Sequence, residues 1–129
     1  LSMHYLRLAL LVATFGMFNI VSAQNVTSAS ADEIGQAWAG NKIGAELKYG
    51  NKRLQITGEV DSLSSVGGRY YIALKAQGLF LGVYVYLDPS APLDAVANLS
   101  TGQRVTMQCD GMKDSFGIEC YQGRLLKAK

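Results

Sequence analysis

Hydrophobic residues change their spacing several times along this 129-residue chain, and each change predicts a different element. Positions 8 to 21 form a nearly unbroken apolar run, interrupted only by Thr14, Gly16 and Asn19, behind Arg7 and ahead of Val21-Ser22-Ala23. A basic residue, about 14 apolar residues and a small-residue end mark an export signal, and the run is shorter than the roughly 20 residues that a bilayer span needs. The expectation is a signal peptide over residues 1–23, cleaved after Ala23, and a flexible polar leader over 24–29. A helical stripe follows. Ser30 is placed to cap it, Asp32 and Glu33 fall in a first turn that favours negative charge, and Ile34, Ala37 and Trp38 share one face. This helix is predicted to run from Ser30 to Lys48; Gly35, Gly40 and Gly44 weaken it, so it must dock on the rest of the chain.

From Lys52 the period becomes two, the mark of half-buried strands. Leu54, Ile56 and Val60 alternate with polar residues over 52–61, and Gly58 suggests the bend that a small barrel needs. Ser64 to Gly68 reads as a turn, and Arg69 to Lys75 as a second strand with Tyr70, Ile72 and Leu74 inward. A third strand, Leu79 to Leu87, is apolar on both faces. Asp88-Pro89 is predicted to open a short helix, with Asp88 as its cap. Strands over Gln103–Asp110, with Val105, Met107 and Cys109 on one face, and over Phe116–Leu126, interrupted at Gly123, complete the chain. The order β-β-β-α-β-β is that of an OB barrel. The predicted fold is all-β: a five-stranded OB-fold barrel over 30–129, with an N-terminal helix and a short helix between strands three and four.

Composition narrows the function classes. Of 12 basic and 10 acidic residues, only Arg7 lies in the first 23 positions, so the remainder carries a net charge of about +1. A protein that gripped long nucleic acid mainly through phosphates would carry a basic excess. The one histidine, His4, lies in the segment expected to be removed, which leaves no imidazole for acid–base work or metal binding. Cys109 and Cys120 are an even pair in an exported chain and read as a disulfide closing a short loop, with an entropic stabilisation of about 2–3 kcal/mol. Gly67-Gly68 lacks the Lys-Ser/Thr of a phosphate-binding loop and reads as a hairpin turn. The expectation is therefore a periplasmic, non-enzymatic protein without metal or cofactor.

Several pieces in order carry a family resemblance. They are Ala31 through Asn41, Tyr49-Gly50-Asn51-Lys52 leading into Leu54-x-Ile56-x-Gly58-x-Val60, Tyr71-Ile72-x-Leu74, Val83-x-Val85-x-Leu87, Leu99-x-x-Gly102-x-x-Val105, and Cys109-x-Gly111 with Cys120. Over about residues 30 to 126 the chain resembles the tRNA-anti-like group of exported bacterial OB-fold proteins, many of them lipoproteins. The resemblance implies an OB barrel with a preceding helix, and a nucleic-acid or other oligomeric ligand by analogy of fold. Two departures stand out: no cysteine follows the cleavage point for lipid attachment, and Val85 stands where relatives often carry cysteine.

The residues with binding chemistry are the outward set on strands two and three: Tyr71, Lys75, Phe80, Tyr84 and Tyr86. Flat rings on that face of an OB barrel stack bases or sugars, and Arg69 in the first flanking loop and Lys113 in the second are placed to meet an acidic group. Two readings stay open. The face holds single-stranded nucleic acid or another oligomer, or it is covered by the N-terminal helix or by a protein of an envelope complex.

Overall fold

The structure is a computed structural model that describes residues 25–115 and 117–129. The expected signal peptide and Phe116, expected to open the last strand, lie outside the described residues. In chain order the elements are β1 (Val26–Ser30), α1 (Ala31–Gly40), α2 (Lys42–Tyr49), β2 (Arg53–Val66), β3 (Arg69–Leu74), β4 (Val83–Leu87), α3 (Asp94–Ala97), β5 (Arg104–Asp114) and β6 (Ile118–Ala128).

The 14-residue β2 makes closure possible, because it is long enough to lie against two neighbours. Its first half, Arg53–Glu59, pairs antiparallel with β5, and its second half, Val60–Val66, pairs antiparallel with β3. A register shift between Val60 and Ser62 separates the halves, and such bulges bend and twist a strand. β3 continues antiparallel to β4, β4 runs parallel to β6, and β6 returns antiparallel to β5. The result is a closed five-stranded OB barrel, as the alternation predicts. Inward residues fill it: Leu54, Ile56, Ile72, Leu74, Val83, Val85, Val105, Met107 and Ile118 are all buried. Cys109 and Cys120 are fully buried on the β5–β6 hairpin and form a disulfide with Cα atoms 5.8 Å apart.

Several boundaries differ from the sequence expectation, each for a physical reason. Residues 26–29, expected within a flexible leader, form β1 together with Ser30, parallel to Arg53–Thr57 of β2. β3 stops at Leu74, opposite Val60; that leaves the first half of this β2 edge open, and β1 fills it. The single helix expected over Ser30–Lys48 is two helices. Ser30 caps α1, with the Glu33 N–H donating to its Oγ at 3.0 Å. Asn41 then breaks the helix and caps α2 in turn, accepting from the Gly44 N–H at 3.1 Å. Together α1 and α2 close one end of the barrel, with Ala31, Ile34, Trp38, Ala45 and Tyr49 joining the core and Trp38 stacked on Tyr49 at 6.0 Å. Gly58 marks this close approach rather than the bend: a Cβ there would stand 3.0 Å from the Ala31 Cβ.

At the other end, β2 and β3 run past the rim into a turn at Gly67-Gly68, whose φ values of +58° and +79° suit glycine. The turn is thus shorter than the expected 64–68. Tyr70, expected inward, keeps the inward parity but lies beyond the rim and is 56% exposed. The third strand is Val83–Leu87 rather than Leu79–Leu87, since β6 begins only at Ile118, opposite Val83, and offers 79–82 no partner. Asp88 does not cap a helix. Its carboxylate accepts from the Ser90 N–H and hydroxyl, both at 2.8 Å, which holds its pKa below the usual carboxylate range. α3 begins later, after Leu93, and none of its residues is buried. β6 is one strand through Gly123 but is bulged there, with Gln122 at positive φ and a register shift against both β4 and β5, which is the irregularity expected at Gly123.

Candidate functional site: the tyrosine face

The residues that alternate with the core on β3, β4 and β6 point to the outer face. Cross-strand register sets Tyr71 opposite Tyr86 and Ala73 opposite Tyr84. The parallel pairing of Val85 with Cys120 then carries Tyr121 in beside Tyr86. The four rings form a continuous row. Tyr84 stacks on Tyr71 at 5.0 Å between centroids, Tyr71 meets Tyr86 tilted at 5.8 Å, and Tyr86 stacks on Tyr121 at 5.5 Å. Such pairs add about 0.5–1.5 kcal/mol beyond area burial, so the row is held in place rather than loosely displayed.

Cations lie over one end of the row. The Arg69 guanidinium is 5.1 Å from the Tyr86 centroid and 5.2 Å from that of Tyr121, and the Lys113 ammonium is 5.1 Å from Tyr121. All are within cation–π reach. Glu119 shares this end and accepts a hydrogen bond from the Tyr121 hydroxyl. Partial burial is the main cause that raises the Tyr84, Tyr86 and Tyr121 phenols, and the Glu119 hydrogen bond helps push Tyr121 up to about 12. At neutral pH Tyr84, Tyr86 and Tyr121 are therefore uncharged, and the Tyr121 hydroxyl is already committed to Glu119. The Tyr84 ring lines a shallow cleft of about 240 Å³ with Val66, Tyr71, Leu81, Tyr86 and Glu119.

Of the residues singled out in the sequence, the structure brings Tyr71, Tyr84, Tyr86, Arg69 and Lys113 together. Lys75 and Phe80 are elsewhere. Lys75 follows β3 at the helix-capped end of the barrel and pairs with Glu59 at 3.3 Å. Phe80 lies in the loop before β4 and is fully exposed. Tyr121 and Glu119 were missed. The signal was present, since Tyr121 follows the inward Cys120 and must face outward, but only the parallel β4–β6 pairing makes it a neighbour of Tyr86. α1 and α2 do not seal the face: Ile34 and Trp38 are spent on the barrel end, and among the described residues no helix side chain stacks on the tyrosines. Also among the described residues, no three His, Cys, Asp or Glu side chains are grouped to hold a metal ion, no cysteine is free, and no helix is long and apolar enough to cross a membrane.

Among solved structures, the chain is similar to the OBody AM1L10 bound to hen egg-white lysozyme, at 20% identity over 62% of this chain and 78% of that one, with a TM-score of 0.46. No curated protein matches. The tRNA_anti-like family model matches residues 16–117, most of the chain and the barrel strands up to β6. By that match the chain belongs to the tRNA_anti-like family.

Proposed function

We propose that this protein is a non-enzymatic binding module that takes a single-stranded nucleic acid, or an oligomer of similar flat rings, on the tyrosine face. The observation that carries the reading is the row of four half-buried tyrosines, on which no helix side chain stacks among the described residues, with Arg69 and Lys113 over Tyr86 and Tyr121 and with Tyr84 lining a shallow cleft. A base laid on Tyr84 extends an existing stack, so the protein meets it with an ordered surface. Export to the periplasm fits the apolar run at 8–21 and the disulfide, and the absence of histidine beyond position 4 supports a role without catalysis.

Base–aromatic stacking contributes about 1–3 kcal/mol per base, whereas two cations give a log–log salt slope of only about −1.4 for a single strand. The test is fluorescence anisotropy of a labelled oligothymidine titrated with the protein. Binding that weakens gently with salt and falls about 10- to 100-fold in Tyr84→Ala is expected. No binding at low salt, or unchanged binding by Tyr84→Ala, refutes it. Glu119 favours a second reading, because a carboxylate among the rings repels phosphate and suits a protein partner with a basic or hydroxyl group. In that case an envelope protein co-purifies with the wild type and is lost from Tyr84→Ala.

A further inference from the structure

Strand register sets a single acid beside the ring on which a base is expected to lie. Glu119 of β6 is paired with Tyr84 of β4 on one side and with Lys113 of β5 on the other. Ile118 and Cys120 on either side of Glu119 are buried, as are Val83 and Val85 on either side of Tyr84, so both residues take the outer face. Opposite charges paired across strands commonly join. Glu119 and Lys113 do not: among the described residues Glu119 forms no ion pair, and the Lys113 ammonium lies over the Tyr121 ring at 5.1 Å. The Glu119 carboxylate accepts from the Tyr121 hydroxyl through one oxygen, and among the described residues nothing donates to the other. A carboxylate can accept at about four lone-pair positions and donates at none.

The cleft beside Tyr84 then sorts the charges. Tyr71, Tyr84, Tyr86 and Glu119 border it, and Glu119 is the one charged side chain among the described residues that does. Arg69 and Lys113 lie over Tyr86 and Tyr121 and do not line it. A phosphate is drawn to those cations and repelled from the cleft. At about 240 Å³ the cleft is smaller than the ~300–1,000 Å³ of sites that take a drug-sized ligand, which suits one base rather than a length of strand. What such a base turns toward Glu119 is its edge. Edges differ in donors and acceptors, and an acceptor-only group tells them apart.

We propose that Glu119 is a specificity-determining residue that selects bases carrying an amino group: it accepts from the N4 amino group of cytosine, or from an amino group of adenine or guanine, and disfavours uracil and thymine. Those two present a carbonyl where cytosine presents its amino group, so a lone pair meets the carboxylate. The inference rests on the reading of the tyrosine face as a stacking surface and adds a choice that stacking cannot make, since every base has a π-face. One hydrogen bond to a charged acceptor, made by one base and replaced by repulsion in another, corresponds to a preference of about 10-fold.

Cytosine and uracil separate edge from stacking, because the rings are of equal size and neither has a methyl group. The test is fluorescence anisotropy of labelled oligodeoxycytidine and oligodeoxyuridine, about eight nucleotides long, within the usual span of an OB fold. Mildly alkaline buffer keeps cytosine unprotonated. Wild type, Glu119→Gln and Lys113→Ala are compared, with unfolding midpoints to verify the fold. Wild type is expected to bind oligodeoxycytidine about 10-fold more tightly. In Glu119→Gln the ratio should fall to within about 2-fold of unity, because an amide offers a donor as well as an acceptor. Lys113→Ala should weaken both oligomers alike and keep the ratio. A carboxylate acting only as a charge near the phosphates would shift both affinities by one factor, so the ratio is the readout. Equal affinities in wild type, a preference for uracil, a ratio that survives Glu119→Gln, or one that Lys113→Ala abolishes overturns the base choice while the stacking surface stands. Failure of both oligomers to bind at low salt overturns the ligand reading itself, and the base choice with it.

Discussion

Reducing the Cys109–Cys120 bond isolates one contribution to stability, because the oxidised and reduced proteins contain the same side chains in the same core. The bond closes a loop with a sequence separation of 11. For that length, loop-closure entropy corresponds to about 9 cal/mol/K, or about 2.8 kcal/mol at 25 °C. A domain near this size shifts by about 4–5 °C per kcal/mol, so the reduced protein should melt about 11–14 °C lower. Both cysteines are fully buried, so reductant reaches the bond only through unfolding. The protein is therefore denatured, reduced, refolded with the reductant retained, and compared with the oxidised form in urea. Stability should fall by about 2.8 kcal/mol, with a slightly larger m-value because the denatured chain is no longer cross-linked. A loss below about 1 kcal/mol refutes the reasoning, for it means that the denatured hairpin already holds residues 109 and 120 together.

Other consequences can be measured on single variants. Ser30→Ala removes the side-chain acceptor at the start of α1 and should cost about 1 kcal/mol in urea unfolding. Gly58→Ala sets a methyl group 3.0 Å from the Ala31 Cβ and 3.3 Å from Leu74, both fixed by backbone; an overpacking loss of about 1–2 kcal/mol is expected, and a gain would show that the helix end can shift. Tyr121 titrates higher in the folded than in the unfolded chain, so its contribution is present below pH 10 and is lost as pH rises from about 10 to about 12. Tyrosinate absorbance should show that late step, and Glu119→Gln, which removes the carboxylate partner, should bring it earlier. Arg69→Ala should weaken oligonucleotide binding and make the salt slope shallower by about 0.7, with folding unchanged.

Alternation was a good guide wherever a strand had a neighbour on each side. Leu54, Ile56, Val105, Met107 and Cys109 are inward as their spacing requires, and the order of elements was enough to name the barrel. The pattern misled at strand ends, where parity persists but the neighbour does not. Tyr70 is on the inward side yet beyond the rim, and Leu79 and Leu81 alternate correctly in a segment that no strand flanks. Local chemistry misled once more at Asp88, whose carboxylate is satisfied by Ser90 in a turn before any helix begins. β1 could not be read at all, since Val26–Ser30 has little apolar content and is a strand only because β3 ends early and leaves part of β2 exposed.

The same distinction explains the candidate site. Periodicity tells which face a side chain takes but not which strand lies beside it, so Tyr71, Tyr84 and Tyr86, on consecutive strands, could be grouped from sequence while Tyr121, 35 positions beyond Tyr86, could not. Closure supplies the missing neighbour through the parallel β4–β6 pairing. It also separates two sets of residues: the inner alternates carry the core, and the outer tyrosines are half-buried at most, so the ring row can be altered without emptying the barrel. Tyr71 is where the sets of contacts meet, because it both stacks on Tyr84 and Tyr86 and borders a cleft lined by Leu63, Leu87 and Leu93 at the barrel end.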